Sequence, residues 1–297
     1  MGRKDEKQKG RSKAKGKDGK DGKEKASKAK EKPRKLTAKT ADKHELYQRS
    51  VQNPEEEVKF VTATFKRLRQ RHAESLREDF CGTAYFCRAW VSSGPAPRTA
   101  TGIDIDADVL AWGQKHNIDV LEDAQRERVQ LVQRDVRDAS PESFDVVAAF
   151  NFSYWIFKTR PALRQYFEAV RASLNDDGLF FLDAYGGWEA HEPMEEKRAI
   201  KGGFTYVWDQ ARVDPIHNGI LNHIHFHFKD GTKLKKAFTY DWRLWSLPEI
   251  RELLDEAGFK DVTIYWDDSD DDAEENYRPK TRAANQPGWL AYIVAQR

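Results

Sequence analysis

Three acidic positions in the first half of the chain fall where a strand hands over to a loop. Glu78 and Asp79 precede the turn Phe80-Cys81-Gly82-Thr83-Ala84, and Asp135 follows the apolar run Val129–Val132. Asp104 closes Gly102-Ile103-Asp104, about twenty residues after the turn, where a carboxylate can accept hydrogen bonds from both hydroxyls of a ribose. Gly82 has no Cβ, so a ligand can approach the backbone there, and Thr83 can bond a polar neighbour at the start of the next helix. Asp135 stands where it could meet an adenine amino group. The turn lacks the Gly-x-Gly-x-x-Gly that seats a pyrophosphate on a helix N-terminus, and the P-loop pattern is absent too. These residues therefore fit an adenosine without a pyrophosphate.

Positioning such groups takes strands that alternate with helices. Val58, Phe60, Val61, Phe65 and Leu68 recur at helical spacing over Pro54 to Arg71, with Asn53 as N-cap. Leu76 to Phe80 then reads as a strand, Tyr85 to Val91 as a helix ended by Gly94, Pro95 and Pro97, and Thr99 to Ile105 as a second strand. A helix from Asp106 or Ala107 through Lys115 follows, Asp106 being its natural N-cap. The strands Val129–Val132, Phe144–Phe150 and Leu179–Leu182, with the helix Pro161–Leu174 and a turn at Asn175–Gly178, continue the alternation. Strands apolar on both faces predict an open, doubly wound, mostly parallel α/β sheet over about 75–185.

Beyond Gly186 the pattern changes to Phe204–Val213, Ile220–Phe228 and Lys233–Arg243, an antiparallel meander. A helix from Pro248 to Ala257 closed by Gly258, a strand Val262–Trp266, an acidic loop-like stretch from Asp267 to Glu275 and a last strand Trp289–Ala295 complete the reading.

The 297 residues carry a net charge of +2, which hides a strong asymmetry. Residues 1–40 hold 17 Lys and Arg against 6 Asp and Glu, a net of +11, which leaves −9 for residues 41–297. With a single Leu, a single Met and no Val, Ile or aromatic, that stretch reads as a disordered basic tail. The remainder suffices for one domain, 41–297, with 187–243 as an antiparallel insertion. No apolar run suits a membrane span and no secretory signal is visible, so a cytoplasmic protein is expected. Cys81 and Cys87 are the only cysteines, which excludes a disulfide framework or a Cys-based zinc site.

Taken together, the motifs resemble those of the class I S-adenosylmethionine-dependent methyltransferases over roughly residues 45–295. Cys81-Gly82-Thr83 is similar to the centre of that family's Gly-Cys-Gly-Thr-Gly-like loop, with Phe80 and Ala84 in place of its outer glycines and either Glu78 or Asp79 in its acidic position. Gly102-Ile103-Asp104 looks like its ribose-binding strand end and Asp135-Val136 like its adenine-contacting pair. Ser143–Val147 with Asn151-Phe152-Ser153-Tyr154 resembles its fourth strand and active-site loop, and Trp245–Phe259 its late helix. The resemblance implies a Rossmann-like methyltransferase fold with the antiparallel insertion capping the active site, and S-adenosyl-L-methionine as cofactor. It puts Glu78, Asp79, Cys81, Gly82, Thr83, Asp104, Asp135, Val136, Asn151 and Phe152 against that cofactor.

Methyl transfer from a sulfonium is an in-line displacement that needs alignment, exclusion of water and sometimes removal of a proton, but no metal. Tyr154 and Tyr185 are expected to line the acceptor pocket, with His223 or His225 as a general base on a cap strand. His223, His225 and His227 share one face of that strand, yet their Cα atoms lie ~6.5 Å apart with parallel side chains, poor geometry for a metal. A cap rich in aromatics (Phe204, Tyr206, Trp208, Phe238, Tyr240, Trp242, Trp245) suits a small, partly apolar or cationic acceptor methylated at N or O. The alternatives are an RNA or protein methyltransferase docked by the basic tail, and a non-catalytic RNA-associated protein with the same fold. The tail's own contacts with nucleic acid would be weak and non-specific.

Overall fold

Apolar side chains on both faces of successive strands force a sheet covered by helices on either side, and the main sheet is of that kind. The computed structural model describes residues 36–94, 97–267 and 276–297. In chain order the helices are α1 (Lys43–Val51), α2 (Pro54–Arg69), α3 (Tyr85–Ser92), α4 (Ala107–Gly113), α5 (Asp123–Arg126), α6 (Arg160–Ala172) and α7 (Leu247–Glu256). The strands are β1 (Ser75–Asp79), β2 (Thr99–Asp104), β3 (Val129–Gln133), β4 (Phe144–Ala149), β5 (Leu174–Gly186), β6 (Met194–Ile200), β7 (Phe204–Asp214), β8 (Gly219–Phe228), β9 (Lys233–Arg243), β10 (Lys260–Asp267), β11 (Tyr277–Pro279) and β12 (Trp289–Gln296).

The main sheet runs β11-β10-β12-β5-β4-β1-β2-β3. β3, β2, β1, β4 and β5 are parallel, and β12, β10 and β11 add an antiparallel edge. After β3 the chain crosses to the other side of β1, so the order reverses between β1 and β4, and the carboxyl ends of those strands open a crevice for a ligand. β4 shows why both faces must be covered. Val147 and Ala149 join the core beneath α6 and α7, while Val146 and Ala148 join the core beneath α2 and α3. Each large aliphatic or aromatic side chain so buried contributes roughly 1.5–3 kcal/mol.

A separate four-stranded antiparallel sheet, β6-β7-β8-β9, forms the cap. Its inner face packs Phe204, Ile224, Phe226 and Phe228 with Leu46 of α1. Asp42 caps α1, its Oδ1 accepting from His44 N at 2.8 Å and Glu45 N at 3.2 Å.

Several boundaries depart from expectation for local reasons. Asn53 precedes α2, but its side chain makes no cap bond; its carbonyl takes the first N–H groups instead. The Asn175–Gly178 turn lies inside β5, because Leu174 already pairs with Phe144 and the register then jumps to Val146–Leu179. The basic tail expected to reach residue 40 yields to structure by Leu36: Leu36 and Ala38 pack on the cap core, and Ala38 N donates to Thr232 Oγ1 at 3.0 Å. Residues 1–35 of that tail and residues 268–275 of the acidic stretch lie outside the described residues. Among the described residues no helix is long and apolar enough to cross a membrane.

Candidate active site

β1 delivers the chain into a loop where alternate residues are left-handed: Phe80, Gly82 and Ala84 have φ of 55°, 51° and 56°. Such a backbone costs an L-residue roughly 1–2 kcal/mol, and the surroundings offset it. The Phe80 ring turns into the core against Tyr166 and Phe157, at centroid distances of 5.6 and 6.0 Å, rather than into the loop. Ala84 is buried, and Cys81 N donates to Ile103 O at 2.9 Å. Gly82 N donates to Asp104 Oδ2 at 2.8 Å, joining the loop to the end of β2. A Cβ built on Gly82 meets nothing within 4 Å, so the loop presents bare backbone to open space. Beside it Ile105 is 69% exposed, an apolar surface of the kind a nucleobase covers.

Successive strand residues point to opposite faces, which separates Glu78 from Asp79. Asp79 is sealed in the core, taking Arg77 Nε at 2.6 Å and Tyr166 Oη at 2.9 Å. Its expected place against the cofactor is therefore corrected: it neutralises Arg77, whose Nη2 goes on to the Val136 carbonyl at 2.7 Å. Glu78 fills the loop-side acidic position and accepts Cys87 N of α3 at 3.0 Å. Burial pushes its carboxyl up to about 8. Cys81 is corrected as well, since its side chain is buried against Gly102 and burial drives the thiol well above its ordinary value; only its backbone belongs to the loop. Thr83 Oγ1 accepts Gln48 Nε2 of α1 at 2.7 Å, so its hydroxyl ties the loop to the N-terminal helix. Asp104 also accepts Asp106 N at 3.0 Å. Asp135 is held by the guanidinium of Arg137, at 3.0 Å to Nε and 2.6 Å to Nη2, which keeps its carboxyl below the usual range. Val136 is buried in the core.

At the ends of β4 and β5 a second construction appears. Asn151 and Phe152 both have φ of 58°, and their N–H groups donate to the two oxygens of Asp183 at 2.8 and 2.9 Å. Asp183 is buried, which raises its carboxyl to about 7. Asn151 and Phe152 floor a cavity of about 710 Å³ between the sheet rim and the cap. Tyr185, Tyr206, Trp208, Tyr240, Trp242 and Trp289 supply most of its aromatic wall, and Tyr47 enters from α1. Glu189, Glu196, Lys197 and Arg198 give it charge of both signs. Tyr185 Oη accepts Asn222 Nδ2 at 3.3 Å, and burial keeps its phenol protonated far above neutral pH.

Two expected catalytic groups lie elsewhere. Tyr154 is fully buried and donates its hydroxyl to the Asp183 carbonyl at 2.9 Å, so it braces the rim from below. His223 points away from the cavity, because on β8 Ile224 lines it and the histidines occupy the opposite face. There His223 Nδ1 meets Thr239 Oγ1 at 2.9 Å, and His225 Nε2 donates to Asp209 at 3.0 Å while its Nδ1 accepts Lys236 N. Among the described residues no group of three or more His, Cys, Asp or Glu is arranged to hold a metal. Gln48 carries no signal of its role in the sequence, because only the packing of α1 brings it to the loop. Arg77 was a further omission, although a cation two residues before an Asp, on the same face of the expected strand, was a usable signal.

A model of the methyltransferase-domain family matches residues 81–180, from the Gly82 loop into β5. A protein of Geobacillus sp. (strain WCH70) described as a putative methyltransferase is 21% identical over 221 residues, 73% of this chain and 86% of that protein. A solved S-adenosylmethionine-dependent methyltransferase of Clostridium acetobutylicum superposes with a TM-score of 0.62 at 14% identity, over 85% of this chain and 96% of the other. CalS10, an amino pentose methyltransferase of Micromonospora echinaspora, superposes with a TM-score of 0.62 at 15% identity, over 86% and 95%. At such identities the solved structures speak for the fold. The methyltransferase-domain match over residues 81–180 and the shared fold together indicate an S-adenosylmethionine-dependent methyltransferase, with S-adenosylmethionine as its cofactor. The residues present fit that group: an open loop at Gly82, a carboxylate at Asp104 bound to the loop, and exposed Ile105 beside it.

Two measurements test the site. Asp104→Ala removes the carboxylate from the loop and from any ribose, and calorimetry with S-adenosylhomocysteine should show affinity weakened at least tenfold, about 1.4 kcal/mol or more; unchanged affinity would remove Asp104 from the site. Glu78 titrates near 8 when folded and at roughly 4.3 when unfolded. Between those values the unfolded chain binds fewer protons than the folded one, so this group's stabilising share is complete below the lower value and lost as pH rises through the upper. Urea unfolding of wild type and Glu78→Gln from pH 5 to 8.5 should therefore show a steeper fall of stability with rising pH in wild type; parallel curves would refute the raised value.

Proposed function

We propose that the acceptor is a small molecule methylated at nitrogen or oxygen, seated in the aromatic cavity under the cap. The observation that carries this reading is the cavity itself: its volume of about 710 Å³ and its aromatic walls match a compact, partly apolar ligand. A bound cofactor supplies an electrophilic methyl carbon on a sulfonium. The chain's share is to orient the acceptor and exclude water. Phe152 and Tyr185, whose rings meet edge to face at 4.7 Å, form the floor on which the acceptor rests. Trp208, Tyr240 and Trp242 close the roof, where π faces also favour a cationic amine. An amino pentose methyltransferase among the fold neighbours lends support to a small-molecule acceptor.

Incubation with methyl-labelled S-adenosylmethionine and a fractionated cell extract tests the reading. Label should enter low-mass material, equally for the whole chain and for a variant lacking residues 1–35. Label in RNA or protein, lost with those residues, would establish macromolecular docking instead.

A further inference from the structure

The rim that floors the aromatic cavity also borders a second cavity, of about 430 Å³. The two share Tyr185, Gly186 and Trp289. Trp289 is the partition. It crosses β5 so closely that a Cβ on Gly186 would lie 2.2 Å from its Cζ2, and its ring packs on Trp266 at 5.1 Å. The lining changes character across that wall. Glu189 and Glu196 balance Lys197 and Arg198 in the first cavity, whereas none of the described residues lining the second is Asp or Glu. Arg251 of α7, with Lys280 and Arg282 from the segment after β11, puts three cations there, and Ser246, Thr281 and Asn285 add neutral donors. Neither Arg251 nor Arg282 forms an ion pair with a described residue. This cluster sits in a body whose residues 41–297 carry a net charge of −9, so it runs against the prevailing sign.

Planar guanidinium groups match phosphate and carboxylate geometry, and amide and hydroxyl donors complete the coordination of an anion. The loop at Gly82 and the carboxylate of Asp104 line neither cavity, so the second one is not part of the nucleoside site. We propose that this second cavity binds an anionic arm, phosphate or carboxylate, of the acceptor whose reacting end lies beyond Trp289 in the aromatic cavity. The proposal rests on the reading of the aromatic cavity as the acceptor seat and narrows its substrates to those carrying such an arm.

Titration of the whole chain with inorganic phosphate and, separately, with succinate at fixed ionic strength tests it, read by calorimetry and by the fluorescence of Trp245, Trp266 and Trp289. Saturable binding is expected, weakened at least tenfold in Arg251→Ala/Arg282→Ala, with S-adenosylhomocysteine affinity unchanged in that variant as the control for folding. Tighter phosphate binding assigns a phosphate arm and tighter succinate binding a carboxylate arm. No saturable binding by wild type, or equal binding by the double variant, overturns the proposal. The titration contains no methyl acceptor, so that outcome is separate from label entering macromolecules, which would sink the reading of the aromatic cavity instead.

Discussion

One buried carboxylate accepting two consecutive backbone N–H groups organises the rim. Asn151 and Phe152 are both left-handed, an arrangement that costs each of them energy and persists only where the surroundings over-determine it. Asp183 supplies that determination through one oxygen for each amide, and Tyr154 holds the same residue's carbonyl from below. Because the two amides are fixed, the Phe152 ring is set against Tyr185 and Trp155, at 4.7 and 5.5 Å, and the cavity has a floor. That clamp gives the aromatic walls of the cap a fixed rim to face.

The same economy joins the nucleoside end to the acceptor end. Gly82 bonds Asp104 across two strands, Thr83 accepts Gln48, and Gln48 lies one residue along α1 from Tyr47, which enters the cavity. α1 is further fastened to the cap through Arg49 Nη2 on the Lys201 carbonyl at 2.8 Å and Arg198 on the Ser50 carbonyl. A single short helix thus touches the cofactor loop, the cap sheet and the acceptor walls. Its sequence carries few apolar residues because only Leu46 and Ser50 are buried, the rest of it serving polar contacts.

Much of this was legible in the chain. Runs apolar on both faces identified the parallel strands, and Cys81-Gly82-Thr83 with Asp104 marked the loop that the structure joins by a hydrogen bond. What failed was direction. Periodicity separates His223, His225 and His227 from Asn222, Ile224 and Phe226, but which set faces the rim depends on how the cap docks, and the histidines fell on the far side. Tyr154 follows the fourth strand as expected, yet a single-turn 3₁₀ helix over Ser153–Ile156 swings its ring beneath the rim. Asp79 shows the converse, a strand-end carboxylate consumed by Arg77 two residues earlier. β6 escaped notice because an edge strand reading Met-Glu-Glu-Lys-Arg-Ala-Ile is largely exposed and needs no alternation of apolar residues.

Amide hydrogen exchange at Asn151 and Phe152 tests the clamp most directly. Both should exchange slowly in the native protein, and in Asp183→Asn, which keeps the volume but faces an amide NH₂ toward one of the two N–H groups, at least one should exchange tenfold faster or more while β8 amides are unaffected. Equal protection in the two proteins would contradict the account, because the rim would then be held by something other than Asp183.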